Sequence, residues 1–215
     1  MSRSTQKWLR FIVPGLLLLV FNGLFGKVSG LWEPFWPESV NDAMESLTVF
    51  VLAGLYYLLP FRRWMNARFY SEVNENLRSR MIAIGGLSDD SNVFTWKAIR
   101  GIFWHFVDND KSLSAKSEAA YFNGLIWTTI ADIRVVATAY FGGAFVIGIL
   151  GEQRAWLAAI TFLGIWVASW IASVLVTKRH KHIGNQQLEI IEHKHVAELA
   201  SMLGGVRDRS NREGS

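Results

Sequence analysis

Three sets of residues have the types and spacing to do chemistry. Asp108 and Asp110 form an Asp-x-Asp pair, which could hold a divalent cation for phosphoryl chemistry if more carboxylates joined it. Asp89 and Asp90 would supply them if the chain folded back onto the pair. A single pair beside a helix end also serves as capping and turn chemistry, and capping is the expectation here. Glu192 and His195 stand at Glu-x-x-His spacing, which puts both on one helix face and recurs in carboxylate-bridged metal sites of helical bundles. Such sites need a second copy of the motif on another helix, and this sequence has none. A solvated tail helix accounts for these two residues and for the neighbouring His180, His182 and His193.

Asp132 and Arg134 form the third set. An ionisable group inside a membrane is costly, and it marks a pathway or an ion pair. The uncharged run that follows begins at Val135, so both residues are expected at headgroup level, where arginine snorkels to the interface. The alternative is a pore mouth or a polar cavity. Two positions apart, they do not share a helix face. The sequence lacks cysteine, which excludes disulfides and thiolate chemistry. It also shows no nucleophile–base constellation, glycine-rich phosphate loop or nucleic-acid-binding motif. No catalytic residue, metal or cofactor is therefore expected.

The elements that position these residues follow from hydropathy. Of 215 residues, 51% are hydrophobic and 19% charged, against roughly 25% charged in a soluble domain. The distribution decides the class, because long runs at 11–26, 47–61, 133–150 and 155–177 carry no charge apart from Arg134 near the start of the third. With their flanks these make spans of about 11–30, 43–61, 133–150 and 155–177, near the roughly 20 residues that cross a bilayer. Pro14 is expected in the first turn of the first span, where helices tolerate proline best. The second span is expected to extend back through Ala43 and Met44. The fold class is thus an all-α membrane protein, a four-transmembrane-helix bundle with amphipathic cytosolic helices. Residues 1–61 and 119–177 make two transmembrane hairpins; 62–118 and 178–215 are a cytosolic helical segment and a cytosolic tail.

Charge placement orients the spans. Nineteen of the 22 Lys and Arg lie in 1–10, 62–120 and 178–215, whereas Lys27 and Arg154 lie in the two loops on the other side. Both termini are therefore expected in the cytosol and the spans in the inner (plasma) membrane. The 27–45 loop is acidic through Glu33, Glu38, Asp42 and Glu45, and Trp32, Phe35, Trp36 and Trp156 suit an outer aromatic belt. Attraction to anionic lipid headgroups explains the basic stretches, so membrane lipids are expected partners and nucleic acid is not.

Amphipathic periodicity fills the cytosolic parts. Phe69, Val73, Leu77, Met81 and Ile84 mark one helix face, continuing the second span beyond a bend at Pro60 and stopping at Gly85-Gly86. Asn92 is the expected N-cap of an aromatic-rich helix over 93–107, which suits either the membrane interface or packing on a neighbour. Ser112 or Ser114 is the expected cap of a helix that then runs unbroken to Leu150. In the tail, Leu188, Ile191, His195 and Leu199 form a stripe on a helix over 185–203 and are read as a partner interface. Gly204-Gly205 is expected to end that helix, and 206–215 to be disordered.

Small residues at four-residue spacing let helices approach closely in lipid. Gly143, Gly148, Gly164, Ala168 and Ala172 are the candidates, for packing within the chain or between subunits. The expectation for function is a homo-oligomeric membrane sensor or effector. It would couple a cytosolic protein partner or ligand to a membrane response such as pore opening, a build shared in architecture alone with bacterial signalling and phage-defence effectors. The alternatives are a stand-alone channel lined by Asn22, Tyr56, Tyr57, Thr138 and Tyr140, or a membrane enzyme using Asp108 and Asp110 with a metal on a lipid-linked substrate.

Overall fold

The computed structural model describes residues 3–32 and 47–213. Every regular element among them is a helix: α1 (Arg3–Ser29), α2 (Leu47–Tyr57), α3 (Phe61–Ile84), α4 (Trp96–Asn109), α5 (Lys111–Ile149), α6 (Ala155–Lys194) and α7 (Val196–Glu213). Three of them, α1, α5 and α6, are long and apolar enough to cross a membrane. Along α6 the side chains of Leu157, Ile160 and Leu175 are 59%, 66% and 61% exposed. Such a stripe of large apolar groups is unfavourable in water and consistent with a membrane protein. The second apolar run appears as α2, whose 11 residues span about 16 Å, short of the roughly 30 Å of hydrocarbon in a bilayer. Ala43 and Met44, the acidic loop, Phe35 and Trp36 all lie outside the described residues.

The chain divides into two compact units. The first comprises Met1–Ala67 and Gly124–Val176, the second Arg68–Asn123 and Thr177–Ser215. In the first, Phe21 and Phe25 of α1 pack with Val136, Ala137 and Ala144 of α5 and with Ala158, Ala159 and Phe162 of α6. Small residues on α5 and α6 admit the large rings of α1: Phe21 lies 5.5 Å from Phe162, and Tyr140 stacks on Phe162 at 5.2 Å. Gly15 brings α1 against the backbone of α2, since a Cβ there would stand 2.1 Å from the Val49 carbonyl oxygen. Pro14 lies well inside α1 rather than in its first turn. In apolar surroundings, neighbouring helices can cover the carbonyl that a proline leaves unpaired.

The second unit is built from most of α3, from α4 and α7, and from the start of α5 and the end of α6. Leu77, Met81, Ile99, Phe103, Phe106, Leu188, Ile191, Leu199 and Leu203 are among its buried apolar side chains. The aromatic helix therefore turns Ile99, Phe103, Phe106 and Val107 into the protein rather than toward an interface. Arg78 fixes the loop after α3. Its guanidinium donates to both carboxylates Glu75 and Asp89 and to the Phe94 carbonyl. Gly86, at φ +67°, ends α3 in the left-handed region that glycine enters without steric cost.

Several expected helix ends move. Thr95, not Asn92, caps α4, its hydroxyl accepting from the Ala98 amide. Asp110, not Ser112 or Ser114, caps α5, its Oδ1 accepting from the amides of Ser112 and Leu113. The separate helix over 185–203 does not exist: α6 continues to Lys194, the chain breaks at His195, and α7 runs through Gly204-Gly205 to Glu213. Each mid-helix glycine costs about 1 kcal/mol relative to alanine. Burial of Leu199 and Leu203 just before them supplies more than that.

Candidate functional site

The first unit holds a set of buried polar side chains. Arg62, in the first turn of α3, donates through Nε and Nη2 to Asp132 of α5 at 2.7 and 2.5 Å. Tyr56, at the end of α2, donates its hydroxyl to the same carboxylate at 2.7 Å. Asp132 is 1% exposed, so this carboxylate is enclosed by protein and answered by three charge-assisted or hydroxyl donors. Arg62 also binds the hydroxyl of Tyr57 and the carbonyl of Arg10 in α1. Its guanidinium stands over the Tyr57 ring at 4.9 Å, and Tyr57 in turn donates to the Arg10 carbonyl. One arginine thus ties α1, the α2–α3 corner and α5 together.

Arg134, two residues further along α5, points elsewhere. It donates to the hydroxyl of Ser173 on α6 and to the carbonyl of Met65 on α3. Ser173 donates in turn to the carbonyl of Ser169, one turn back. Beside Met65, Asn66 is fully buried, and neither its amide oxygen nor its amide nitrogen has a hydrogen-bond partner among the described residues. A buried amide left unpaired costs about 1–3 kcal/mol.

Neither Asp132 nor Arg134 reaches out to solvent, at 1% and 3% exposure. Both are buried in the protein, and their separation by two positions sends one toward α2 and α3 and the other toward α6. Sequence reasoning missed Arg62 and Asn66. Arg62 was visible as half of a basic doublet after an apolar run, but a doublet there reads first as a span boundary. Nothing local signals Asn66.

Four of the five residues named for a channel lining have partners within the chain. Tyr140 donates to the Leu18 carbonyl and Thr138 to the Arg134 carbonyl, while Tyr56 and Tyr57 belong to the Arg62 cluster. Of the small-residue candidates, Gly148 faces the Trp156 ring, 2.8 Å from where a Cβ would stand, so it serves the α5–α6 hairpin. Gly143 and Gly164 have open space beside them, Ala168 is exposed, and Ala172 is half-buried.

In the second unit Leu188, Ile191 and Leu199 are fully buried. The stripe read as a partner interface is therefore core of this chain. His195 parts from them: its Nε2 lies 3.1 Å from Asp110 Oδ2. The Asp110 carboxyl is held well below the usual carboxylate range, first by the hydrogen bond from His195 and then by the amides of Leu113 and Ser112. Asp108 is exposed and does not converge with it. Among the described residues no group of three or more His, Asp or Glu is arranged to hold a metal ion.

No protein family matches this chain, and neither a curated protein nor a solved structure is significantly similar to it.

Proposed function

We propose that this chain is a homo-oligomeric integral membrane sensor and effector, crossing the inner membrane four times with both termini in the cytosol. The second unit receives a cytosolic protein partner or ligand, and the first answers by opening a polar path. The observation that carries this reading is the continuity of α5 and α6. Each supplies residues to both units without a break in the helix, which offers a shift or rotation at one end a continuous path to the other.

Further observations support the parts. Nineteen of 22 basic side chains lie on the side assigned to the cytosol, as the positive-inside bias requires. Residues 43–61 are taken as the fourth span, with α2 as its described helical part. Buried ionisable groups between apolar helices mark functional elements of membrane proteins; Asp132 and Arg134 are such groups. Asn66, whose amide has no partner among the described residues, favours an alternative arrangement in which it finds one. Gly143, Gly164 and Ala168, uncovered within the chain, suit close approach of a second copy.

The test is native mass spectrometry from lipid nanodiscs together with vesicle flux. A defined homo-oligomer and flux that depends on a cytosolic-side stimulus are expected. A strict monomer with tight vesicles under every stimulus would remove the reading.

A further inference from the structure

A chain of titratable side chains joins two helix junctions in the second unit. His195 is the break between α6 and α7, and Asp110 is the link between α4 and α5. His195 Nε2 faces Asp110 Oδ2 at 3.1 Å, and its Nδ1 faces Glu198 Oε2 at 3.6 Å. Glu198, on the first turn of α7, also reaches His105 Nε2 on α4 at 3.2 Å through its other oxygen. The imidazole of His195 lies 5.2 Å from the ring of Phe106, which covers one side of it. Lys194, at the end of α6, is 3.5 Å from Asp110 Oδ2 and 3.1 Å from the Ser112 hydroxyl. Asp108 is exposed, and Asn109 lies against His105 Nδ1 at 3.2 Å.

The two histidines differ in what they require. A neutral imidazole carries one N–H, and its other nitrogen is a lone pair. His105 is satisfied in that form, with its proton on Nε2 toward Glu198 and its Nδ1 accepting from the Asn109 amide. His195 is not, because each of its nitrogens meets a carboxylate oxygen. With one proton, one of those carboxylates faces a lone pair and is repelled. With two, the imidazolium bridges both.

We propose that His195 is a proton-binding site that latches the α4–α5 junction to the α6–α7 junction, closed when the imidazolium bridges Asp110 and Glu198 and released when it loses a proton. The proposal rests on the sensor reading above and deepens it by naming the stimulus: a change of proton activity in the compartment that bathes the second unit. His195 is the sensing residue, while His105 and Lys194 set the charge around it.

Hydrogen exchange on the full chain in nanodiscs tests this at pH 5.5 and 8.5, either side of the ordinary imidazole range, after correction for intrinsic exchange. Amides of 105–113 and 193–201 should be protected less at pH 8.5, by about threefold to tenfold for a charge-assisted contact of partial exposure. His195→Gln should flatten this dependence, and His105→Gln should leave most of it. If His195→Gln disturbs the fold, Glu198→Gln, on a 48% exposed side chain, should reduce the dependence instead. Equal protection at both pH values in the wild type overturns the proposal, as does an unchanged pH dependence in a folded His195→Gln. Vesicle flux separates the two readings. Flat exchange with flux driven by another stimulus removes the proton latch and keeps the sensor. Exchange that follows pH, abolished by His195→Gln, in vesicles that stay tight keeps the latch and removes the effector.

Discussion

Arg62 and Asp132 stand 70 positions apart in the chain, and their side chains meet through two hydrogen bonds of 2.7 and 2.5 Å. The pair unites a helix start with the middle of another helix, and Asp132 has no route to solvent at 1% exposure. Removing one member leaves the other as an uncompensated buried charge, which costs far more than the intact pair contributes.

Arg62→Ala should therefore destabilise the first unit by about 3–5 kcal/mol, because it strands the buried Asp132, and Asp132→Ala by somewhat less, since the Arg62 left behind retains 17% side-chain exposure. The double variant Arg62→Met with Asp132→Leu should recover most of the loss. Thermal unfolding in a fixed detergent, followed by tryptophan fluorescence, measures all three. Additive losses in the double variant would show that the two residues act independently.

Asn66 gives the opposite sign. Asn66→Leu replaces a buried unpaired amide with an apolar side chain of similar volume, so it should stabilise this conformation by about 1–2 kcal/mol. In reconstituted vesicles it should also lower any stimulated flux, because the arrangement in which the amide is paired loses its advantage. A destabilised Asn66→Leu would mean that the amide is paired where it stands.

The legible part of this fold was the part dictated by solvent. A long apolar run can lie in lipid only as a helix or a closed barrel, so 11–26, 133–150 (uncharged from Val135) and 155–177 could be read directly, and α1, α5 and α6 cover them. Positions whose meaning depends on distant partners could not. Asp132 sits at the edge of an uncharged run, and only the arrival of Arg62 and Tyr56 makes it interior. The stripe of Leu188, Ile191 and Leu199 was correctly seen as apolar, but periodicity cannot tell a face that packs within the chain from one that packs on a partner. Gly204-Gly205 failed as a stop because Leu199 and Leu203 anchor α7 before the glycines are reached. Asp110 as the α5 cap was legible, since aspartate is among the strongest N-cap residues.

Glycine spacing divides into two tests. Gly15 meets backbone on α2, where a Cβ would stand 2.1 Å from the Val49 oxygen. Gly15→Ala must push α1 and α2 apart and should cost about 1–3 kcal/mol as overpacking. Gly164 has nothing near it within the chain, so Gly164→Leu should leave the unfolding temperature of the monomer within about 2 °C. If a second copy packs on that row, native mass spectra of Gly164→Leu should shift toward smaller assemblies. Unchanged assembly would place the subunit interface elsewhere.

Acid should act on the second unit through its carboxylates. Arg78 lowers the Glu75 and Asp89 carboxyls through its hydrogen bonds to them, and Asp110 is lowered by His195 and by the α5 amides. A carboxyl lowered in the folded state binds protons more readily when unfolded. The stabilisation it brings is therefore complete above the ordinary carboxylate range, about pH 4, and is lost as pH falls through the lowered value. Hydrogen exchange of 85–95 and 110–114 should stay protected down to about pH 4 and then rise. Arg78→Ala removes the partner of both Glu75 and Asp89 and should loosen 85–95 at every pH, with a fall of about 3–5 °C in unfolding temperature. Because Arg78 reaches neither Asp110 nor His195, the variant should leave 110–114 as in the wild type. Equal loosening of both segments would show that the loop and the α4–α5 junction open as one cooperative unit.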